Sequence, residues 1–257
     1  MQARARGSLA SLWRHPVKGF TPEPVERASL SPGKWFPFDR IYAVEDGDCG
    51  FDPLAPAHVP KQRFLVLARL PQLAAIRTRY DPVSRRLSAQ AGSQPVLEVN
   101  LSQEAGRLDF AAWLTRTLGG AVAGPLRVLE APDRHRFTDH PKGFVSLINM
   151  ASLRDLAARL GGDIDPRRLR GNLLIEGWPA WIENEAAGGE LRVGDVRAHV
   201  LQPITRCAAT EVDPLSGRRD LPVPKALFEN YRHVLCGIYA EIVEGGEVTA
   251  GSSVELA

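Results

Sequence analysis

The amino-acid sequence predicts a strand-rich α+β protein in which a few helices accompany many short strands. Its 257 residues include 23 glycines and 20 prolines, which favour short elements and turns over long helices. Runs of alternating apolar and polar residues recur along the chain, as half-buried strands require. Apolar residues at helical spacing occur in only a few places. Many short strands with few helices are typical of an α+β architecture.

The predicted strands are short and are separated by turn residues. Residues 77–80 and 86–90 should form a hairpin around the turn that begins at Asp81-Pro82. A second hairpin is predicted where 191–193 and 196–198 flank Gly194-Asp195. The remaining strands are predicted at 8–13, 25–30, 38–44, 95–100, 126–129, 144–149, 196–204, 237–243 and 253–256.

Three helices are predicted, at 107–118, 151–160 and 224–233. Glycine pairs end the first two, and a proline stands at the start of the third. The first helix lies where an N-terminal region passes into a C-terminal one, so we expect domains at 8–118 and 119–257. The charged segment 133–142 should be an exposed, mobile loop with solvated histidines, His135 and His140.

The strongest chemical signal is the stretch 201–217, which reads LQPITRCAATEVDPLSG. Cys207 follows a predicted strand and stands next to Arg206. A neighbouring positive charge favours the thiolate, the form of cysteine that attacks electrophiles and binds soft metals. The chemistry alone leaves two interpretations open: Cys207 is a reactive thiol, or it is a small buried hydrophobic residue.

Composition argues against several classes of partner. A formal net charge of +2 is too small to indicate nucleic acid or acidic lipid as a partner. No apolar run approaches the ~18–20 residues of a transmembrane helix, and the first residues lack the apolar core of a signal peptide. Cys49, Cys207 and Cys236 form no Cys-x-x-Cys pair, which suits a reduced protein. We therefore expect a cytoplasmic protein with no membrane or nucleic-acid partner.

The run from Cys207 to Gly217 resembles the signature of the MOSC family, which is named for the C-terminal domain of molybdenum cofactor sulfurase. Members carry a cysteine followed by a Thr-Val-Asp-Pro-x-Thr-Gly-like run. Other segments resemble the family in the same order, namely His15-Pro16-Val17-Lys18-Gly19, residues 38–44 and residues 168–175. The chain departs from the family pattern at 61–65, where Lys61-Gln62-Arg63-Phe64-Leu65 replaces a Thr-x-Arg-x-x-Pro-x-Leu motif.

This resemblance covers about residues 9–256 and implies both an architecture and a cofactor. The implied fold has an N-terminal β-barrel-like region, a C-terminal β-barrel with peripheral helices, and a cofactor cleft between them. The implied ligand is molybdenum cofactor, an anionic, phosphate-bearing pterin dithiolene. Arginine suits its phosphate and a thiolate suits its metal. Cys207 would be the metal ligand and the catalytic residue. The implied cofactor contacts are Lys18, Arg40, Asn149, Arg170, Asn172, Arg206 and Cys207.

Three functions are compatible with the resemblance. The first is a molybdenum-dependent oxidoreductase, similar to the amidoxime-reducing branch, that reduces N-hydroxylated or similar N- or S-oxygenated small molecules. It would need electrons from a separate iron–sulfur, flavin or haem protein, because the chain has no cysteine-rich iron–sulfur region. The second is a sulfur carrier with a persulfide on Cys207. The third is a non-catalytic carrier of the cofactor. We expect Lys18, Arg40 and Arg170 to converge on one pocket in the first and third cases.

Overall fold

The chain forms fifteen strands and three α-helices in a computed structural model that describes residues 4–257. The strands are β1 (Ala5–Arg14), β2 (Glu23–Val25), β3 (Arg27–Leu30), β4 (Tyr42–Asp46), β5 (Ile76–Asp81), β6 (Arg86–Ala91), β7 (Leu97–Asn100), β8 (Leu126–Glu130), β9 (Val145–Asn149), β10 (Leu173–Glu176), β11 (Glu190–Val193), β12 (Val196–Thr205), β13 (Leu235–Glu244), β14 (Gly246–Thr249) and β15 (Ser253–Leu256). The helices are α1 (Glu104–Leu118), α2 (Met150–Leu160) and α3 (Val223–Tyr231). Short 3₁₀ turns lie at Lys61–Arg63, Pro71–Ala75, Gly119–Ala121, Pro166–Leu169, Ile182–Glu185 and Ala208–Glu211.

Seven strands close a barrel in the order β1, β10, β9, β13, β12, β11 and β15. The barrel closes because β1 pairs antiparallel with β10 along one edge and with β15 along the other. Alternating residues of these strands point inward, and Leu9, Leu12, Ile238 and Val254 are among the side chains that fill the interior. Burial of this apolar surface is the main term that stabilises the barrel. The strand-rich α+β prediction is thus confirmed.

A second core lies in the N-terminal region. The antiparallel sheet β5–β6–β7 and the pair β4–β8 pack with α1 around buried residues that include Leu73, Phe110 and Leu114. A third, smaller core joins α2 and α3 to the barrel wall. The first strands of the chain join the N-terminal region to the C-terminal one. β1 belongs to the barrel, and β3 pairs with β14. None of the helices in the described part of the chain has the length and apolar character needed to cross a membrane.

Most predicted elements are confirmed, and two segments differ. The three predicted helices and both predicted hairpins are present. The predicted strand 38–44 begins only at Tyr42, because Phe38 and Arg40 adopt left-handed backbone angles, with φ of 57° and 47°. The Arg40 N–H donates instead to the His15 carbonyl at 2.7 Å. This turn places the Arg40 side chain at the interface between the barrel and the N-terminal region. A continuous strand would have carried the backbone past that interface.

The segment 133–142 has no helix or strand, but the prediction of a solvated loop was wrong. Phe137 and His135 are buried against Phe51, with ring centroids about 5 Å apart. His140 stacks on Tyr239 of the barrel with centroids 5.7 Å apart. The charged residues of the segment hid this packing, because they suggest solvent exposure while the rings of His135 and Phe137 are buried. The segment consequently forms one wall of the cavity described next.

Candidate functional site

A cavity of about 310 Å³ lies between the barrel and the N-terminal region. Its walls come from the segment after β1, the loop before Phe64, the segment 138–143, the turn 168–170 and the end of β12. The lining contains one carboxylate, Asp139, and six cationic side chains: Lys18, Arg40, Lys61, Arg168, Arg170 and Arg206. Lys18, Arg40 and Arg170 therefore converge as the sequence predicted. Such an excess of positive charge suits an anionic ligand.

Cys207 lies at the end of β12 and lines this cavity. It is partly exposed, and Cys49 and Cys236 are also free thiols. The N–H and the hydroxyl of Thr210 both donate to the Cys207 carbonyl, at 3.0 and 2.9 Å, and hold the backbone at the start of the 3₁₀ turn. The Lys61 ammonium group donates to Sγ at 3.2 Å. The thiol is therefore accessible from the cavity and has a cation beside it.

Arg206 is oriented differently from the sequence prediction. Its Nε donates to the Cys236 carbonyl and its Nη1 to the Leu169 carbonyl, both at 2.7 Å. Burial lowers the pKa of this guanidinium group. The side chain ties β12 to β13 and to the turn before Arg170, so the cation in contact with the Cys207 sulfur is Lys61 and not Arg206. Adjacent residues at a strand end point to opposite sides, which separates Arg206 from its neighbour's thiol.

Lys18 is buried at the back of the cavity. Its ammonium group donates to the Phe137 carbonyl at 2.9 Å and pairs with the Asp139 carboxylate. Burial lowers the pKa of Lys18 despite that carboxylate. The other oxygen of Asp139 accepts from Lys61 at 3.2 Å. Burial alone would raise the pKa of Asp139, but the two lysines outweigh it and hold the pKa well below its usual range.

Arg40 rests on a buried ion pair. Asp39 pairs with Arg40, accepts from the His15 N–H at 2.7 Å and lies 3.0 Å from His15 Nδ1. Arg40 also donates from Nη2 to the Arg170 carbonyl at 3.0 Å. Burial opposes ionisation of Asp39, yet the adjacent Arg40 and His15 lower its pKa. Asp39 thus fixes the Arg40 guanidinium at the cavity wall.

Arg170 has no carboxylate partner among the described residues. Its Nη1 donates to the Phe20 carbonyl at 2.7 Å, while Nη2 is buried and has no hydrogen-bond partner. Burial, and then the neighbouring Arg40, lower the pKa of Arg170 to about 9. A buried donor without an acceptor is costly. A negatively charged group in the cavity would satisfy Nη2 and offset that cost.

The two predicted asparagine contacts differ from the prediction, because neither residue is in the cavity lining. The Asn149 side chain caps α2 by accepting from the Ala151 N–H at 3.0 Å and donates to Glu183 at 2.8 Å. The Asn172 side chain accepts from the Ser146 N–H and donates to the Trp13 carbonyl, at 3.0 and 3.1 Å. Both side-chain amides join elements of the barrel and α2.

Two known domain types match most of the chain. The MOSC N-terminal beta barrel domain matches residues 6–123, and the MOSC domain matches residues 134–255. Human mitochondrial amidoxime-reducing component 1 is 31% identical to this chain over an alignment of 288 positions, which spans 97% of this chain and 83% of the human protein. The chain belongs to the MOSC family.

Other relatives match over shorter stretches. The chain is 31% identical to a Caenorhabditis briggsae molybdenum cofactor sulfurase over 151 residues, which cover 56% of the chain and 21% of that relative. Rat mitochondrial amidoxime reducing component 2 is 30% identical over 122 residues, 43% of the chain and 36% of the relative. The chain thus corresponds to about a fifth of the length of the nematode sulfurase.

The cavity of this MOSC protein fits a molybdenum cofactor in charge and in donor set. The unpartnered Nη2 of Arg170 and the excess of cations suit a phosphate-bearing anion. Within residues 4–257 no three His, Cys, Asp or Glu side chains come together as a metal site. A metal at Cys207 would therefore take its other ligands from the group that carries it, as a dithiolene allows.

Sequence reasoning missed several residues that line the cavity, among them Lys61, Asp139 and Tyr239. These three residues come from a proline-rich loop, a charged loop and the middle of β13. The departure from the family motif at 61–65 drew attention to Lys61 without showing its contact with Cys207. Asp139 and Tyr239 carried no such signal, because a lone carboxylate in a charged loop and a tyrosine in a strand are ordinary features.

Proposed function

We propose that this chain binds molybdenum cofactor in the cavity and acts as an oxidoreductase on small molecules. The substrates would be N-hydroxylated compounds, or similar N- or S-oxygenated ones. The single observation that carries the proposal is a partly exposed thiol, Cys207, in a cavity lined by six cationic side chains of which Arg170 has an unpartnered buried donor. A thiolate in an anion-binding cavity matches the chemistry of a metal held by an anionic cofactor.

Each residue of the proposed site has a role that follows from its contacts. Cys207 would hold the metal, while Lys18, Arg40 and Arg170 would hold the anionic part of the cofactor. Arg206 would act indirectly, because its guanidinium is engaged with the carbonyls of Leu169 and Cys236. When bound, the cofactor supplies a metal centre for two-electron oxygen-atom transfer.

The proposed overall reaction removes one oxygen atom from the substrate. An N-hydroxylated compound, two electrons and two protons give the reduced nitrogen compound and water. The electrons would come from a separate protein of the iron–sulfur, flavin or haem type. The chain's own groups would bind and orient substrate in the cavity, where Tyr239 and His140 stack. We keep a cytoplasmic location and the absence of a nucleic-acid partner as parts of the proposal, on the free cysteines and the small net charge.

Metal analysis of the purified protein tests the proposal directly. The full chain would be produced in a host that makes the cofactor, and its molybdenum and pterin content would be measured. We expect about one molybdenum per chain in the wild type, loss of reductase activity with a chemically reduced electron donor in Cys207→Ser, and lower occupancy in Arg170→Met. A wild-type protein without molybdenum or pterin would overturn the proposal.

A sulfur carrier is the second candidate, favoured by the match to molybdenum cofactor sulfurase over 151 residues. Cys207 would then bear a persulfide, which intact mass would detect as one added sulfur that reductant removes. The same preparation distinguishes the candidates, because the carrier has extra sulfur and no molybdenum. A non-catalytic cofactor carrier would contain molybdenum but would show no turnover.

A further inference from the structure

Asp139 holds together two lysines that come from distant parts of the chain. One oxygen pairs with Lys18, and the other accepts from Lys61 at 3.2 Å. Asp139 is the sole carboxylate partner of each lysine among residues 4–257. The carboxylate thus occupies the space between two ammonium groups inside a strongly cationic cavity.

The Asp139 side chain is less firmly held than the lysine side chain behind it. Its side chain is 46% exposed, and it lies on a segment between β8 and β9 that has no helix or strand. Lys18, in contrast, is buried and donates to the Phe137 carbonyl as well. The contact between Asp139 and Lys61 is partly exposed at both ends, so it contributes little net stability and an incoming anion can replace Asp139 at Lys61 at low cost.

Lys61 places this anion site beside the Cys207 thiol. Lys61 Nζ lies 3.2 Å from both Cys207 Sγ and an oxygen of Asp139. An anionic group bound to Lys61 in place of Asp139 would lie next to the thiol. Lys61 also stands in the stretch 61–65, where this chain departs from the family pattern.

We propose that Lys61 forms a subsite for the carboxylate of a small-molecule substrate, and that Asp139 fills this subsite when no substrate is bound. The inference rests on the proposed function, because it takes Cys207 as the reacting centre beside which the substrate lies. It adds a chemical class: substrates that carry a carboxylate bind better than their neutral isosteres. Asp139 then acts as an internal competitor of the substrate.

The test measures binding of benzoate and of neutral benzamide by titration calorimetry, using the full chain with and without cofactor. We expect Asp139→Asn to bind benzoate about tenfold more tightly than the wild type, which corresponds to about 1.4 kcal/mol. Lys61→Met should bind it about tenfold more weakly, and benzamide should bind neither variant measurably better than the wild type. Asp220→Asn is the matched control, because Asp220 has the same 46% exposure and pairs with Arg168 of the same cavity.

The outcomes separate specific competition from general electrostatics. An equal gain in Asp220→Asn and Asp139→Asn would overturn the proposal, since any loss of negative charge would then suffice. Benzoate binding only to cofactor-free protein would also overturn it, because the anion accommodated there would be the cofactor's own. Binding to the loaded protein with the predicted ranking supports it. A protein that contains molybdenum cofactor but lacks this ranking would refute the carboxylate subsite alone, whereas a protein that never contains molybdenum would refute the proposed function and this inference with it.

Discussion

Replacing Arg170 by methionine should leave the stability of the cofactor-free protein almost unchanged, although it removes a largely enclosed charged residue. The pKa of Arg170 is lowered from its ordinary value to about 9, mainly by burial and then by Arg40. That difference corresponds to roughly 5 kcal/mol of charging cost at neutral pH, and about half of this once water in the cavity screens the group. The lost hydrogen bond to the Phe20 carbonyl is worth about 1.5–3 kcal/mol in the opposite direction.

These opposing terms predict a change of less than about 1 kcal/mol in the free energy of unfolding, measured by urea titration at pH 7. The sign of the pH dependence follows from the lowered pKa. The charging cost is fully present at neutral pH and declines as the pH rises through the lowered pKa of Arg170, so the wild type should gain stability relative to Arg170→Met in alkaline solution.

Arg168→Met is the matched control for this experiment. Arg168 lines the same cavity and its side chain is 4% exposed, but it pairs with Asp213 and Asp220. Breaking such an enclosed pair should cost about 3–5 kcal/mol. If the free energy of unfolding falls equally in both variants, Arg170 is a structural arginine. The argument that Arg170 serves to bind an anion in the cavity is then refuted.

Three further predictions concern the thiol, acid stability and a tight backbone contact. Cys207→Ser should unfold within about 1 kcal/mol of the wild type in urea, because one sulfur-to-oxygen change in the cavity removes little buried apolar area; a large loss of stability would mean that the thiol is a core residue. The pKa of His15 is lowered to about 3, by burial first, so stability should fall by about 1.4 kcal/mol per pH unit as the pH drops below 6.5. His15→Gln should reduce the slope of the free energy of unfolding against pH by the contribution of one proton. An unchanged slope would contradict the lowered pKa of His15. Gly171→Ala should cost about 1–3 kcal/mol, because its new Cβ would lie 2.3 Å from Cγ1 of Ile148; the added loss should shrink in an Ile148→Ala background, and a purely additive double variant would contradict the steric cause.

Local pattern was sufficient to predict most of the fold. Apolar alternation located the hairpin of β11 and β12, and glycines and a proline located the helix ends, because these signals are set by residues close in sequence. The left-handed backbone at Phe38 and Arg40 was not predictable in this way. Residues other than glycine rarely adopt this conformation, and contacts with distant residues, such as the hydrogen bonds of the Arg40 backbone to His15 and Phe137, stabilise the turn.

The sequence by itself determined the family, the barrel and three of the basic residues that meet in the cavity, Lys18, Arg40 and Arg170. The tertiary structure decided how those residues are used. It directed Arg206 to two carbonyls, employed Asn149 and Asn172 as internal links, and brought Lys61 to the thiol from 146 residues away. A hydrogen bond depends on the relative position of two groups in space. Residue type and spacing restrict that position only within one element, whereas contacts across the cavity depend on how the barrel and the N-terminal region pack.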